Sequence, residues 1–264
     1  MPTVARPDLD LYYERRGSGP GLLLCNGSGA TIEGSGPLIG ALAQHVEVAV
    51  HDQRCLGRTG VPPTQPAMAD YAADALAVLD DLGWERALVF GISFGGMVAQ
   101  ELAVTAPERI ERLALLCTSP GGEGGSSYPL HELAAMAPDE RAAVSLRNLD
   151  VRFTPEWLQT HPADLALVQV MVERAQRERT SDEARGEAMQ LEARRHHDVW
   201  DRLPRITAPT LVAAGRFDGL APLANSEAIA ARIPGSELRV YEGGHAFVFQ
   251  DRRALPDIVD FLVR

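Results

Sequence analysis

The chain has 264 residues, of which 45% are hydrophobic and 23% are charged, a balance typical of a folded globular protein. Its formal net charge of −11 argues against nucleic acid as the main partner, because binding a phosphate backbone requires a positive surface. The sequence contains neither the long apolar run of a membrane span nor the apolar core of an N-terminal secretory signal. We therefore expect a cytoplasmic protein, monomeric or homodimeric, that binds a small molecule and neither nucleic acid nor membrane.

The first predicted element is a strand in which Leu9, Leu11 and Tyr13 alternate before a turn at residues 17–20. Short apolar runs follow, separated by helical patterns. Such runs are typical of strands covered on both faces, and their alternation with helices predicts a mostly parallel sheet with right-handed crossovers. The predicted buried strands span residues 22–25, 46–50, 87–92, 113–117, 210–214 and 238–241, and the helices that should flank the sheet span 71–82, 97–104 and 224–232.

The pattern changes between about residues 119 and 205. A glycine-rich stretch at 121–127 leads into helical segments, including 184–195, and no convincing strand follows until residue 210. This change predicts an inserted helical cap over 119–205. Residues 1–118 and 206–264 would then form the core of an α/β fold.

A serine lies at the junction of a predicted strand and a predicted helix. Gly91-Ile92-Ser93-Phe94-Gly95 fits the pattern Gly-x-Ser-x-Gly, in which the serine occupies a strained strand-to-helix turn and the glycines remove Cβ clashes. The alternative is a glycine-rich helix start that binds nothing. The flanking strand and helix favour the nucleophile.

Two further residues complete a candidate catalytic triad. A serine hydroxyl needs a histidine to accept its proton and an acid to orient that histidine. Downstream, Asp218 follows the strand 210–214 and His245 follows the strand 238–241. Because the order serine, acid, histidine at successive strand ends is the order this motif requires, we predict Ser93, His245 and Asp218 as the catalytic residues.

An oxyanion that forms during acyl transfer needs two fixed N–H donors. We predict the backbone N–H of Phe94 as one donor. The other should come from the loop after the strand 22–25, where Ser28 is our choice and Gly27 is the alternative.

Three stretches carry a family resemblance: Glu14-Arg-Arg-Gly-Ser-Gly-Pro, His51-Asp-Gln-Arg-Cys-Leu-Gly-Arg58 and Ala213-Ala-Gly-Arg-Phe-Asp218. With the triad, they make the chain resemble the α/β-hydrolase superfamily, in the branch that contains 3-oxoadipate enol-lactonases and small esterases. The resemblance implies the α/β-hydrolase fold and the triad. The branch usually has a histidine at Asn26 and a glycine at Cys55, so this chain departs from it there.

Other polar residues have two interpretations. Asp52, Arg54 and Arg58 lie in one loop and could bind a carboxylate, although bracing of the loop is favoured. The residues that we expect to bind substrate are Asn26, Gly27, His131, Phe153 and Trp157. An apolar or aromatic acyl group is expected from the apolar cap residues Leu133, Met136, Val168 and Met171, whereas an acidic lactone would point to Arg54 or Arg152.

No metal or cofactor is predicted. The cysteines, Cys25, Cys55 and Cys117, are scattered without a Cys-x-x-Cys spacing and are interpreted as reduced thiols. His196 and His197 are adjacent, and neighbouring helical residues face different directions, so a surface or packing role is favoured over metal binding.

The sequence therefore predicts a serine hydrolase that cleaves small carboxylic esters or lactones through an acyl-enzyme. Three alternatives stay open. The same triad could cleave carbon–carbon bonds or catalyse cofactor-free perhydrolysis, and a hydrolase-like receptor could bind a ligand with negligible turnover. Ser93 argues against haloalkane dehalogenases and epoxide hydrolases of this fold, which use an aspartate nucleophile.

Overall fold

A computed structural model describes residues 2–264, with the side chains of residues 174 and 175 outside that description. The strands of the described chain are β1 Thr3–Ala5, β2 Asp10–Arg16, β3 Gly21–Cys25, β4 Glu47–His51, β5 Ala87–Ile92, β6 Ile110–Leu116, β7 Thr210–Gly215 and β8 Glu237–Tyr241. They form one sheet in the order β1-β2-β4-β3-β5-β6-β7-β8. Strands β3 to β8 are parallel, while β1 and β2 pair antiparallel at one edge.

Helices cover both faces of the sheet. Their bounds are α1 Gly36–Leu42, α2 Met68–Asp81, α3 Phe94–Thr105, α4 Pro138–Leu149, α5 Pro155–Thr160, α6 Pro162–Gln176, α7 Ser181–Arg195, α8 Leu223–Arg232, α9 Phe247–Gln250 and α10 Ala254–Val263. Within β5, Val89 points to a core shared with α2 and α3, and Phe90 points to a core shared with α1 and α10. Because both faces are buried, the strand sequences are apolar without alternation.

The predicted mostly parallel sheet is confirmed, and its six buried strands lie within three residues of their predicted bounds. Four elements lie where none was predicted: β1, α1, α9 and α10. β1 has only three residues. The buried residues of α10, Ala254, Ile258, Val259, Phe261 and Leu262, recur at helical spacing, so the sequence carried a signal for this helix that the prediction missed.

The segment between β6 and β7 contains helices α4 to α7 and no strand among its described residues. Glycines allow this segment to pack closely against the core. A Cβ on Gly186 would lie 2.0 Å from the carbonyl oxygen of Cys55, and one on Gly244 would lie 2.1 Å from that of Leu149. Backbone contacts this close fix the segment over the carboxyl ends of the strands.

A buried ion pair joins the loop after β4 to helix α2. Arg54 donates two hydrogen bonds to Asp74, at 2.6 and 2.7 Å, and both residues are buried. Arg6 also donates to Asp74, at 2.9 Å. Burying a charge is tolerated when the opposite charge and hydrogen bonds accompany it, as they do here.

Among the described residues, no helix combines the length and apolarity that crossing a membrane requires.

Asp74→Ala should lower the free energy of unfolding by about 3–5 kcal/mol, because it leaves the buried Arg54 guanidinium without its main counter-charge. Urea unfolding followed by circular dichroism measures the change. Glu47→Ala is the matched control, since it removes a more exposed pair with Arg15 and should cost about 1 kcal/mol or less. Similar losses in the two variants would contradict this role of Asp74.

Candidate active site

Ser93 lies at the turn between β5 and α3. Its φ of 55° and ψ of −117° are unusual for a residue with a side chain. Such a conformation costs about 1–3 kcal/mol and persists only where the surroundings hold it. Here the Ser93 N–H donates to the Leu116 carbonyl at 2.9 Å, and the Ser93 carbonyl accepts from Thr118 Oγ1 at 2.8 Å. Hydrogen bonds from β6 and its following loop therefore hold the turn.

Glycines on either side of Ser93 allow backbone segments to touch. A Cβ on Gly95 would lie 1.9 Å from the Cys25 carbonyl oxygen, and one on Gly91 would lie 2.6 Å from the Gly95 carbonyl oxygen. Side chains at these positions would push α3 away from β3 and β5. The start of α3 is thereby held against the end of β3, where the loop at 26–29 begins.

Ser93, His245 and Asp218 form one hydrogen-bonded chain. His245 Nε2 lies 2.9 Å from Ser93 Oγ, and His245 Nδ1 lies 2.8 Å from Asp218 Oδ2. These residues follow β5, β8 and β7, so three strands of the sheet bring them together. The Asp218 side chain is 1% exposed and that of His245 is 14% exposed. Asp218 is therefore shielded from solvent, whereas one edge of the His245 ring stays exposed.

Backbone groups fix the second oxygen of Asp218. Its Oδ1 accepts from the N–H groups of Leu220 and Ala221, both at 2.8 Å. The carboxylate therefore presents only Oδ2 to His245. This arrangement selects the tautomer that carries its proton on Nδ1 and leaves Nε2 free to accept from a serine hydroxyl.

The loop that carries His245 is held by the segment between β6 and β7. The His245 N–H donates to the Leu149 carbonyl at 2.6 Å. Gln250 accepts from the Gly244 N–H at 2.8 Å and donates to Asp150 at 3.1 Å and to Asp164 at 3.2 Å. The position of the imidazole thus depends on helices that lie outside the sheet.

The predicted oxyanion donors lie near the serine. Phe94 begins α3, so its N–H has no acceptor within the helix. In the loop after β3, Gly29 N–H donates to Gln190 and Ala30 N–H donates to the Gly27 carbonyl. Among the described residues we find no acceptor for the N–H of Ser28. A Cβ on Gly27 would lie 3.6 Å from Ser93 Cβ, which places this loop beside the serine.

The residues expected to bind substrate fall into separate places. Asn26 is buried beside the loop, and its carbonyl accepts from Gln53 at 2.6 Å. Phe153 lies in a buried apolar cluster that Trp157 and Ala246 contact. His131 instead lines a cavity with Met97 and Ser119. The apolar cluster is therefore next to His245, because Ala246 contacts the cluster and follows His245 in the chain. His131 lines the separate cavity with Met97 and Ser119.

The loop after β4 braces the fold, as its sequence favoured. Asp52 accepts from the Ile32 N–H at 2.7 Å and from the Arg58 N–H at 2.9 Å. Arg54 is committed to Asp74, and Arg58 lies over the Tyr12 ring, 4.6 Å from its centre. In the segment between β6 and β7, Arg152 pairs with Asp150 at 2.6 Å. Arg54 and Arg152, proposed for an acidic substrate, therefore already have carboxylate partners.

The three cysteines are buried free thiols. Burial raises the pKa of Cys25 to about 12, which keeps the thiol protonated. Cys117 Sγ lies within 4.8 Å of the ligand atoms of Asp218 and His245, and burial followed by the charge of Asp218 raises its pKa as well. Of the adjacent histidines, His196 is exposed and contacts Glu192 at 2.8 Å, whereas His197 is buried. The two rings do not share a ligand position.

A family model described as the alpha/beta hydrolase fold matches residues 20–252. The chain belongs to the α/β-hydrolase family. RutD of Azorhizobium caulinodans, named as a candidate carbamate hydrolase, is 31% identical to this chain over 250 residues, which cover 94% of this chain and 92% of RutD. The 3-oxoadipate enol-lactonase 2 of Acinetobacter baylyi is 25% identical over 265 residues, covering 99% of this chain and 96% of that enzyme.

Among solved structures, the enol-lactonase of Burkholderia xenovorans superposes with a TM-score of 0.80 at 25% identity, covering 100% of both chains. The resemblance to enol-lactonase-like α/β-hydrolases is therefore confirmed, and this α/β-hydrolase is an enzyme. The Gly-x-Ser-x-Gly motif, the order of serine, aspartate and histidine at strand ends and the quoted stretches were sufficient to predict the family from sequence.

Sequence reasoning missed the residues that support the α/β-hydrolase site from a distance. Thr118 and Gln250 bind the turn and the histidine loop. Gln190, on α7, accepts from the Gly29 N–H at 2.8 Å. None of these belongs to a motif, and Gln190 and Gly29 are separated by 161 positions. The only related signal in the sequence was the run of small residues in the loop at 26–29, which allows close approach of the backbone.

Gly95→Ala should disrupt the serine turn, because the added Cβ cannot avoid the Cys25 carbonyl. We expect a loss of at least about 2 kcal/mol in the free energy of unfolding, within the range for backbone strain and overpacking. Urea unfolding measures this loss, and a fluorophosphonate probe reports whether Ser93 stays reactive. Gly40→Ala in α1 has open space for its Cβ and should be neutral or stabilising. A fully stable, reactive Gly95→Ala protein would contradict the packing argument.

Proposed function

We propose that this α/β-hydrolase cleaves small carboxylic esters or lactones with Ser93 as nucleophile, His245 as general base and acid, and Asp218 as the residue that orients the imidazole. The single observation that carries the proposal is the unbroken hydrogen-bond chain from Asp218 through His245 to Ser93. The enol-lactonases among the relatives support the class of bond. The reaction needs no cofactor, because the carbonyl carbon is itself electrophilic.

Acylation begins when Ser93 Oγ attacks the carbonyl carbon and its proton passes to His245 Nε2. The resulting imidazolium stays hydrogen-bonded to Asp218, whose negative charge stabilises it. The carbonyl oxygen becomes an oxyanion, which we assign to the N–H groups of Phe94 and Ser28, with Gly27 as the alternative for the second donor. The carbon–oxygen bond then breaks, and His245 gives its proton to the departing alkoxide.

Deacylation repeats these steps with water. His245 takes a proton from the water, whose oxygen attacks the acyl carbon, and the Ser93–acyl bond breaks as the proton returns to Ser93 Oγ. A lactone gives one hydroxy acid, whereas an ester gives an alcohol and an acid. The strained Ser93 turn suits this role because it projects Oγ away from the sheet toward His245.

Carbamate hydrolysis is the second candidate, favoured by the name of the RutD relative at 31% identity. A carbamate carbonyl is attacked by the same serine, but nitrogen donation makes that carbonyl less electrophilic. Parallel assays of p-nitrophenyl acetate and a p-nitrophenyl carbamate distinguish the two. Multiple turnover of the ester supports the proposal. Tight binding with no sustained release of product would support a receptor instead.

Ser93→Ala should abolish both ester turnover and labelling by a fluorophosphonate probe, because no other group of the triad can form the acyl bond. Mass spectrometry of the labelled wild-type protein should locate the probe on Ser93. Ser145→Ala removes an exposed serine of α4 and should keep wild-type labelling and activity. Labelling of Ser93→Ala at the wild-type rate would refute the assignment of the nucleophile.

Asp218→Asn should keep the fold but lower kcat by about 10⁴-fold, as loss of the productive tautomer does in related triads. The amide oxygen can still accept from Leu220 and Ala221 N–H groups, so the amide nitrogen faces His245 Nδ1. Nδ1 must then accept, which puts the proton on Nε2 and blocks transfer from Ser93. Steady-state kinetics and circular dichroism test this. Asn26→Ala should cost much less, and equal losses would make Asn26 a direct participant.

A further inference from the structure

Cys117 lies against the proposed triad. It follows β6, and its Sγ lies within 4.8 Å of a carboxylate oxygen of Asp218 and a ring nitrogen of His245. The Ser93 N–H is also close enough to the sulfur to favour its thiolate form. The residue is 1% exposed. One buried sulfur atom therefore has all three members of the triad as neighbours, although the proposed reaction does not use it.

The backbone of Cys117 is held in an unusual conformation. Its φ of 40° lies in the left-handed region that glycine adopts most easily. The Cys117 N–H donates to the Ala213 carbonyl of β7 at 3.0 Å, and the next residue, Thr118, donates to the Ser93 carbonyl at 2.8 Å. Such strain persists only where the surroundings hold it, and it is concentrated at functional sites. These bonds fix the thiol between the strand ends that carry Ser93 and Asp218.

The thiol is protonated at neutral pH. Burial, ahead of the Asp218 charge, raises the pKa of Cys117. Within the described chain, the Asp218 carboxylate accepts from Leu220, Ala221 and His245, and the thiol does not donate to it. A buried thiol behaves as a small hydrophobic group with a weak donor. Cys117 therefore fills the space beside the carboxylate without competing with the imidazole.

A stronger donor in this place would weaken the base. Asp218 stabilises the imidazolium that forms when His245 accepts the Ser93 proton. A hydrogen bond to a carboxylate stabilises its charged form and makes it less basic. Oδ1 of Asp218 already accepts two N–H groups, whereas Oδ2 accepts one bond, from His245, and has a lone pair left. An added donor on Oδ2 would therefore leave less negative charge for the imidazolium.

The other carboxylates around the His245 loop have partners of their own. In the described part of the chain, each is held by an arginine or by N–H donors: Asp150 by Arg152 at 2.6 Å, Glu242 by Arg216 at 2.9 Å, Asp251 by Arg253 at 2.7 Å, and Asp164 by the Trp157 indole at 2.8 Å and by Gln250 at 3.2 Å. Asp218 is the carboxylate that contacts the imidazole itself. A change beside Asp218 should therefore reach His245 directly.

We propose that Cys117 is a positioning residue that acts through Asp218. Its thiol keeps water and stronger donors away from the carboxylate, so that the charge of Asp218 is available to His245. This inference rests on the proposed function and adds a residue to it. The sequence indicated Cys117 only as a reduced thiol, because no motif includes it.

Cys117→Ser and Cys117→Ala separate this role from packing. Serine nearly preserves the volume but adds a strong donor beside Asp218, whereas alanine removes the sulfur without adding a polar group. Cys117→Ser should lower kcat/KM for p-nitrophenyl acetate by about 3- to 10-fold, the range for one neutral hydrogen bond. The midpoint of its pH–rate profile should move to lower pH by about 0.5–1 unit, because the imidazolium is less stabilised. Cys117→Ala should keep the wild-type midpoint and lose less activity.

Stability should follow the opposite order. The introduced hydroxyl finds an acceptor in Asp218, whereas alanine leaves a small cavity. Urea unfolding should therefore show that Cys117→Ala is the less stable variant, although it is the more active one. If Cys117 only packs, the less stable variant is also the less active, and both keep the wild-type pH midpoint. That result would overturn the proposal and leave the serine hydrolase assignment intact.

Cys55→Ser is the matched control. Cys55 is also a buried thiol with a positive φ, of 76°, but it lies in the loop after β4, where its sulfur accepts from the Tyr71 hydroxyl at 3.9 Å. The same exchange of sulfur for oxygen should leave kcat/KM and the pH midpoint unchanged there. A shift as large as that of Cys117→Ser would show that the effect does not depend on Asp218, and would reject the proposal.

Proton NMR tests the proposal without turnover. The proton between His245 Nδ1 and Asp218 Oδ2 gives a far-downfield signal, whose position follows the strength of that hydrogen bond and the ionisation of the ring. In Cys117→Ser this signal should move upfield and titrate at lower pH than in the wild type. If the wild type hydrolyses no ester, the proposed function fails, and this titration still shows whether Cys117 controls the pair. The same position and titration in both proteins would reject that control.

Discussion

The contact between the start of α3 and the end of β3 is the constraint on which the proposed site depends. Gly95 meets the Cys25 carbonyl so closely that no side chain fits between them. This contact holds the Ser93 turn in its positive-φ conformation and places it beside the loop at 26–29. The nucleophile and its proposed oxyanion donors are therefore positioned by the same backbone contact, and strain in the turn is balanced by packing of the sheet.

The buried charges differ in how fully the protein satisfies them. Arg54 and Asp74 satisfy each other, and Asp218 is satisfied by two N–H groups and His245. Arg194 has neither a carboxylate nor a full set of acceptors in the described chain. Arg54 and Arg194 are therefore similarly buried but differ in whether a carboxylate accompanies them.

The order of motifs along the chain was enough to predict the sheet, the family and the members of the proposed triad. Each triad residue follows a strand, and the residues of that strand specify it locally. The supporting contacts could not be predicted in this way. Gln190 and Gly29, or Gln250 and Asp150, meet only when the helices between β6 and β7 have packed. Arg194 resembles the solvent-facing arginines of α7 in sequence, and its burial follows from the position of the whole helix. The apolar side chains that suggested an apolar acyl group include Met171, which is exposed.

The same helices also contact both the loop that carries the proposed base, His245, and the loop that carries the proposed oxyanion donors. Leu149 and Asp150, at the end of α4, hold the His245 loop directly and through Gln250, while Gln190 on α7 holds the loop beside Ser93. A displacement of this segment would therefore move the base and the oxyanion loop relative to the nucleophile, whose turn is fixed by the sheet. Alignment of the proposed catalytic groups therefore depends on how the helices between β6 and β7 pack as well as on the sheet, because a small misplacement of the base or of the oxyanion donors lowers the rate.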